Sequence, residues 1–107
     1  MRPAKEEEKM LEPTILEVIK HVAETKKPVE IATGGWSMLE RWNWIRRALM
    51  LEERKEFIFE DYVEDQFILD SLINKVYSNV FYVTDECGNT WLMTEYEALR
   101  RSLLDAK

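Results

Sequence analysis

Residues 80–93 have the sequence VFYVTDECGNTWLM, in which two short apolar segments flank a polar turn. Val80–Thr84 is rich in β-branched and aromatic residues, which favour strands, and Thr90–Met93 has the same character. The loop Glu86–Asn89 contains Gly88, which can adopt the positive φ that a tight hairpin turn requires. The stretch therefore predicts an antiparallel β-hairpin.

Helix-spaced apolar residues lie on both sides of this hairpin. Apolar residues recur at helical spacing after Pro13, a residue that suits a first helical turn, and predict a helix to about Thr25. At the other end, Thr94 and Glu97 have the spacing of a capping box and predict a final helix to about Leu104.

The segment between the first helix and residue 55 predicts one strand and one helix. Val29–Thr33 alternates as a short strand does, and the glycine pair at 34–35 ends it. Ser37 and Glu40 have capping-box spacing and predict a second helix that ends between Glu53 and Lys55.

The segment after the second helix is less regular. Glu56–Glu60 fits either a strand or the first turn of a third helix, and Asp61 with Glu64 offers a cap-like helix start. The apolar residues that follow predict that this helix is buried: Phe67, Ile68, Leu69, Leu72, Ile73 and Val76. The whole pattern predicts a small single α+β domain over residues 13–107, after a charged N-terminal arm over residues 1–12. Three to four helices should pack on a short, mainly antiparallel sheet, with a C-terminal β-hairpin followed by a helix.

Length and composition limit the classes of protein that fit. The chain has 107 residues, of which 46% are hydrophobic and 34% charged, as expected for one compact domain. No apolar run approaches the roughly 20 residues that span a bilayer, and the charged N-terminus does not resemble a signal peptide. Cys87 is the single cysteine, which excludes an internal disulfide framework. We therefore expect a cytoplasmic protein without a membrane partner.

The formal net charge of −6 is unevenly distributed along the chain. Residues 31–55 carry five basic and three acidic side chains, a net charge of +2, whereas residues 56–75 carry one and six, a net charge of −5. These neighbouring blocks can face each other within the fold, or one of them can contact a partner.

The basic block contains three of the four tryptophans. At 100° per residue, one face of its helix carries a core stripe of Met38, Trp42, Ile45, Ala48 and Leu49. Other apolar side chains point away from this stripe, which fits a central helix covered on two sides. In the alternative interpretation Trp44, Leu51 and Arg47 are exposed, and Arg46 is a further candidate binding residue. Because tryptophan and arginine are enriched in interface hot spots, this alternative predicts a binding surface for a protein partner or a second copy of the chain.

The acidic block predicts a second contact region at Glu60, Asp61, Glu64 and Asp65. In a helix these residues form like-charged pairs at i,i+4 spacing, which repel unless something compensates them. A helix N-terminus, a cation or a basic partner surface can do so. No D-x-[DN]-x-[DN]-G calcium loop is present, so a basic partner is preferred over a metal.

No arrangement of residues predicts catalysis. One histidine, His21, and one cysteine are too few for a typical zinc site, and Ser37 fits a helix cap better than a nucleophile. We therefore predict no enzyme activity, no cofactor and no metal.

The leading hypothesis is a non-enzymatic protein-binding accessory protein. From its small size, acidity, dense aromatic residues and lack of a catalytic motif we expect a phage or mobile-element accessory protein, a regulator or inhibitor. The alternative is a nucleic-acid-binding regulator, in which the arginines of residues 38–54 contact phosphates and the hairpin aromatics stack on unpaired bases. These side chains are Arg41, Arg46, Arg47, Arg54, Phe81, Tyr82 and Trp91.

Overall fold

The computed structural model describes residues 10–104, and within this range four helices and one three-stranded sheet form an α+β fold, as predicted. In chain order the elements are α1 (Pro13–Thr25), β1 (Val29–Ala32), α2 (Met38–Ala48), α3 (Phe59–Val76), β2 (Val80–Thr84), β3 (Thr90–Thr94) and α4 (Glu95–Arg100).

The sheet has the strand order β1-β3-β2, and both pairings are antiparallel. The predicted hairpin is confirmed, with Tyr82 opposite Leu92, and Gly88 adopts a φ of 84° in its loop. β1 pairs with the other side of β3, where Val29 lies opposite Leu92. Because cross-strand partners share a face, Val29, Leu92 and Tyr82 all point to the same side of the sheet.

The main core lies between that side of the sheet and helices α1 to α3. It includes the buried side chains of Leu11, Ile15, Ile19, Val22, Ile45, Leu69, Leu72, Ile73, Val80, Tyr82 and Leu92. A smaller cluster on the opposite side joins Val83, Met93 and Ala98 of α4. Leu11 belongs to the core, so the packed chain begins before the predicted boundary at residue 13, while residues 1–9 of the predicted arm lie outside the described residues.

The start of α2 follows the predicted capping box, but its end does not follow the prediction. Ser37 Oγ accepts a hydrogen bond from the Glu40 N–H at 3.1 Å, and the Glu40 carboxylate accepts one from the Ser37 N–H at 2.7 Å. The helix ends at Ala48 rather than between residues 53 and 55. Met50 adopts a left-handed φ of 62°, and the N–H of Leu51 bonds the carbonyl of Arg46, which closes the helix in a Schellman motif.

The start of α3 also differs from the cap predicted at Asp61. The helix begins at Phe59, its N-cap is Ile58, and no side chain caps it. Glu60 and Asp61 instead occupy the first turn, where carboxylates interact favourably with the helix dipole. Residues 56–58 are irregular, so the segment left open between strand and helix contains no strand.

The final helix α4 has the expected start and an earlier end. Thr94 Oγ1 accepts a hydrogen bond from the Glu97 N–H at 3.2 Å. The helix stops at Arg100 instead of about residue 104, because Ser102 adopts a φ of 62° and the N–H of Leu103 bonds the Ala98 carbonyl.

The hairpin loop packs closely against the turn between β1 and α2. A Cβ atom on Gly34 would lie 2.6 Å from the carbonyl oxygen of Cys87, so only glycine fits there. Arg41 of α2 donates hydrogen bonds to the carbonyls of Thr33 and Gly88 and to Thr90 Oγ1. These contacts fix the N-terminal end of α2 against the sheet.

Candidate protein-binding surfaces

The interface between α2 and α3 contains a buried ion pair. Asp65 is only 7% exposed, and its Oδ2 accepts hydrogen bonds from Trp42 Nε1 at 2.8 Å and Arg46 Nη1 at 2.9 Å. The sequence placed both Arg46 and Asp65 on a partner surface. The structure instead brings them together inside the protein, where neither side chain is available to a partner.

A second, more exposed contact joins the basic and acidic blocks. Arg54 Nη1 lies 3.8 Å from Asp61 Oδ2, and the Arg54 guanidinium lies 5.0 Å from the centre of a Trp42 ring. The two blocks of opposite charge therefore face each other within the fold across α2 and α3, as in the first of the two predicted arrangements.

We define the corner surface as Trp44, Arg47 and Leu51. Trp44 is half-buried, packs against the main core and stacks on Tyr82, with ring centroids 6.0 Å apart. Arg47 is exposed, lies 3.7 Å from Glu53 and shares a cleft of about 270 Å³ with Trp44. Leu51 lies beyond the helix end and is 44% exposed. The predicted core stripe of α2 is buried except for Met38, which is exposed at the first helical position.

We define the α3 ridge as Phe59, Val63 and Phe67, which are 64%, 45% and 71% exposed. They occur at every fourth residue, so they form one row along the helix surface. The prediction that Phe67 and Ile68 are buried was wrong, because Leu69, Leu72 and Ile73 supply the face that meets the core.

Two exposed carboxylates border the α3 ridge. Glu60 and Glu64 each follow a ridge residue by one position, which puts them on the same side of the row. Within residues 10–104 neither has an ion-pair partner. Of the four carboxylates predicted to contact a partner, these two are therefore the most accessible.

Phe59 and Val63 were not predicted as surface residues, although the sequence contains a signal for them. The spacing i, i+4, i+8 places Phe59, Val63 and Phe67 roughly opposite Leu69 and Leu72 on the helix. A helix with two apolar rows either packs against the rest of the protein on both rows or leaves one row exposed to solvent. Periodicity alone does not distinguish these two cases.

The arginines and hairpin aromatics of the nucleic-acid hypothesis have contacts within the fold. Arg41, Arg46 and Arg54 form the contacts described above, which leaves Arg47 as the most exposed of the four. Tyr82 is buried in the core, and Trp91 Nε1 donates a hydrogen bond to Asp85 while Arg101 covers its ring at 5.4 Å.

Three carboxyl groups have pKa values that depart from their ordinary range. Burial raises the pKa of Asp70 to about 6, although the Tyr82 backbone N–H opposes this shift, and its Oδ1 has no hydrogen-bond partner within residues 10–104. Hydrogen bonds from Trp91 and from the Asn89 and Cys87 backbones lower the pKa of Asp85. Hydrogen bonds from Arg100 and Arg101 lower the pKa of Glu97.

Neither a metal centre nor a membrane span is found in the described part of the chain. No group of three or more histidine, cysteine, aspartate or glutamate side chains in residues 10–104 is placed to hold a metal ion. In the same range, every helix is too short or too polar to cross a membrane.

Comparison with known proteins gave no relative for this chain. No protein-family model matches it, and neither the curated proteins nor the solved structures gave a significant match.

Proposed function

We propose that this chain is a non-enzymatic protein-binding protein, a regulator or inhibitor, which docks its partner through the α3 ridge. The observation that supports this proposal most directly is the exposure of Phe59 and Phe67 at two turns' separation, with Val63 between them. Exposed apolar side chains are individually common on protein surfaces, but a continuous row bordered by polar residues is typical of a docking site.

The corner surface is a weaker candidate for the main contact. Trp44 already packs against the core and Tyr82, so only part of its ring remains for a partner. Arg47 and Leu51 are accessible and offer a second contact region, which point variants can separate from the α3 ridge.

Nucleic-acid binding has less support. A phosphate-binding face needs several free cationic side chains, whereas Arg41, Arg46 and Arg54 are held by contacts inside the protein. The exposed face of α3 adds negative charge, which would repel a phosphate backbone.

The proposal is tested by affinity capture from a lysate of the source cell, divided into nuclease-treated and untreated halves, with four tagged proteins compared side by side. They are the wild type, the ridge variant Phe59→Ser/Phe67→Ser, the corner variant Arg47→Ala/Leu51→Ser, and Tyr96→Ser. The last is the matched control, because Tyr96 is 74% exposed and lies on α4.

We expect the wild type and Tyr96→Ser to retain a stoichiometric protein partner that the ridge variant loses. Retention of that partner by the ridge variant would overturn the proposal, and its loss from the corner variant alone would move the site to Arg47 and Leu51. Material that disappears on nuclease treatment would favour nucleic acid instead.

A further inference from the structure

We infer that the occupant of the α3 ridge is an amphipathic helix with lysine or arginine along one border of its apolar stripe. This inference rests on the proposed protein-binding function and specifies the chemistry of the partner. Two features support it, namely the spacing of the apolar side chains and the unequal charge of the ridge's two borders.

The spacing of the ridge fits packing against another helix. Phe59, Val63 and Phe67 lie on an i±4 row that spans about 12 Å along α3, at 1.5 Å per residue. Rows of this kind pack into the grooves between the side-chain rows of a second helix, commonly at a crossing angle of about −50°. The ridge lacks the alternating three- and four-residue spacing of a coiled-coil seam, so a crossed contact is expected rather than a long supercoil.

The charge next to the ridge differs between its two borders. One border carries Glu60 and Glu64, both exposed and without an ion-pair partner in residues 10–104. The other border carries Tyr62, Gln66 and Asp70, all half-buried at the packed side of the helix. A partner helix would therefore meet exposed negative charge mainly along one side of its apolar stripe.

The neighbouring carboxylates of α3 do not compete for that partner. Asp65 is neutralised by Arg46 at 2.9 Å, and Asp61 lies 3.8 Å from Arg54. The basic block of this chain thus compensates the inner carboxylates of α3 and leaves Glu60 and Glu64 uncompensated. Cations from a partner would complete the compensation and fix the direction in which its helix docks.

A second copy of the chain fits this surface poorly. Two copies docked ridge to ridge would place four exposed glutamates at one interface, between proteins that each carry a net charge of −6. The exposed apolar area of the ridge is on the order of 300 Å², whereas a stable interface buries about 800 Å² on each partner. Apolar contact alone is therefore too small to offset this repulsion.

The test measures binding of the full-length protein to three designed peptides of about 18 residues by fluorescence anisotropy. The first is an amphipathic helix with a leucine stripe bordered by lysine, the second carries glutamate in place of lysine, and the third is a scramble of the first that has no apolar face. We expect the first peptide to bind at least about tenfold more tightly than the other two, and its affinity to fall as salt is raised.

Two sets of variants assign the contacts. Glu60→Gln/Glu64→Gln should weaken binding of the lysine peptide about tenfold at low salt, whereas Glu17→Gln/Glu24→Gln, which removes two carboxylates from α1, should not. The ridge variant Phe59→Ser/Phe67→Ser should lose the peptide entirely.

Each contrary outcome has a distinct meaning. Equal binding of the lysine and glutamate peptides would overturn the inferred chemistry of the partner. If the ridge variant then lost both peptides, the proposed protein-binding function of the ridge would still stand. Equal binding of the scrambled peptide would overturn the amphipathic partner. A concentration-dependent dimer of the wild type that the ridge variant lacks would make the second copy the occupant. The ridge would not be the binding site if the ridge variant still bound the lysine peptide. It would also not be the site if no peptide bound the wild type and the ridge variant still captured the partner from lysate.

Discussion

Each of the two faces of α3 includes side chains that residue type alone would place on the opposite face. On the inner face, Asp65 is 7% exposed, and its carboxylate lies between Trp42 and Arg46. On the outer face, Phe59 and Phe67 are 64% and 71% exposed. A charged group is thus inside and two phenylalanines are outside, on the same 18-residue helix.

The contrast between the faces shows that partners, rather than hydrophobicity alone, determine which side chains this helix buries. Asp65 is tolerated inside because two donors replace the water that burial removes. The ring of Phe59 lies 6.5 Å from that of Tyr62, but both outer phenylalanines remain largely exposed, which is why we assign them to an intermolecular contact. In this assignment the inner face serves folding and the outer face serves binding.

The largest expected effect comes from removing the buried carboxylate. Asp65→Ala leaves the Arg46 guanidinium and the Trp42 N–H without their acceptor, and should lower the free energy of unfolding by about 3–5 kcal/mol in urea denaturation. The matched control is Asp61→Ala, which removes a solvent-exposed partner of Arg54 and should cost less than about 1 kcal/mol. Similar losses in both variants would contradict the contrast between the buried Arg46–Asp65 pair and the more exposed Arg54–Asp61 pair.

A smaller loss is expected at the corner surface. Trp44→Ala removes the stack on Tyr82 and part of the core, and should lower the unfolding free energy by about 2 kcal/mol. Arg47→Ala, on the exposed side of the same helix, should change it by no more than about 0.5 kcal/mol. A Trp44 variant with unchanged stability would return this tryptophan to the binding surface.

The half-buried carboxyl of Asp70 gives a pH-dependent contribution of opposite sign to that of an ordinary ion-paired acid. Because its folded-state pKa is raised to about 6, the folded protein binds this proton more tightly than the unfolded chain between about pH 4 and pH 6. The contribution of Asp70 to stability therefore falls as pH rises through this window. Asp70→Asn should remove the loss and be more stable than the wild type by about 1–2 kcal/mol at pH 7, a figure reduced for solvent screening of this partly exposed group, with little difference near pH 4.

Urea denaturation at several pH values measures this difference. A constant offset between Asp70→Asn and the wild type from pH 4 to pH 7 would mean that the Asp70 pKa is not raised on folding.

The sequence predicted the parts of this fold that depend on local chemistry. The hairpin of β2 and β3 was predicted correctly because its strand residues and turn lie together in the chain, and Ser37 with Glu40 marked the start of α2. The end of α2 was not predicted, because it depends on Met50 in a left-handed conformation that methionine rarely adopts. Ile58 likewise gives no cap signal at the start of α3.

For the candidate site residues too, the sequence indicated what depends on local pattern and missed what depends on tertiary packing. The adjacent charge blocks indicated that the basic and acidic segments could face each other, but only the packing of α2 on α3 establishes that Arg46 pairs with Asp65. Periodicity places Phe67 on one face of α3 but does not predict whether that face is buried, because burial depends on tertiary contacts.

The different roles of the two faces of α3 are tested most directly by the unfolding free energy of Phe59→Ser/Phe67→Ser, measured by urea denaturation beside the wild type. Serine and phenylalanine have similar helix propensities, so the substitution isolates the loss of the apolar surface. We predict a change within about 1 kcal/mol, because both side chains are largely exposed and the inner face is untouched. A loss of about 3 kcal/mol or more would contradict this assignment, because the outer face would then contribute to folding as the inner face does.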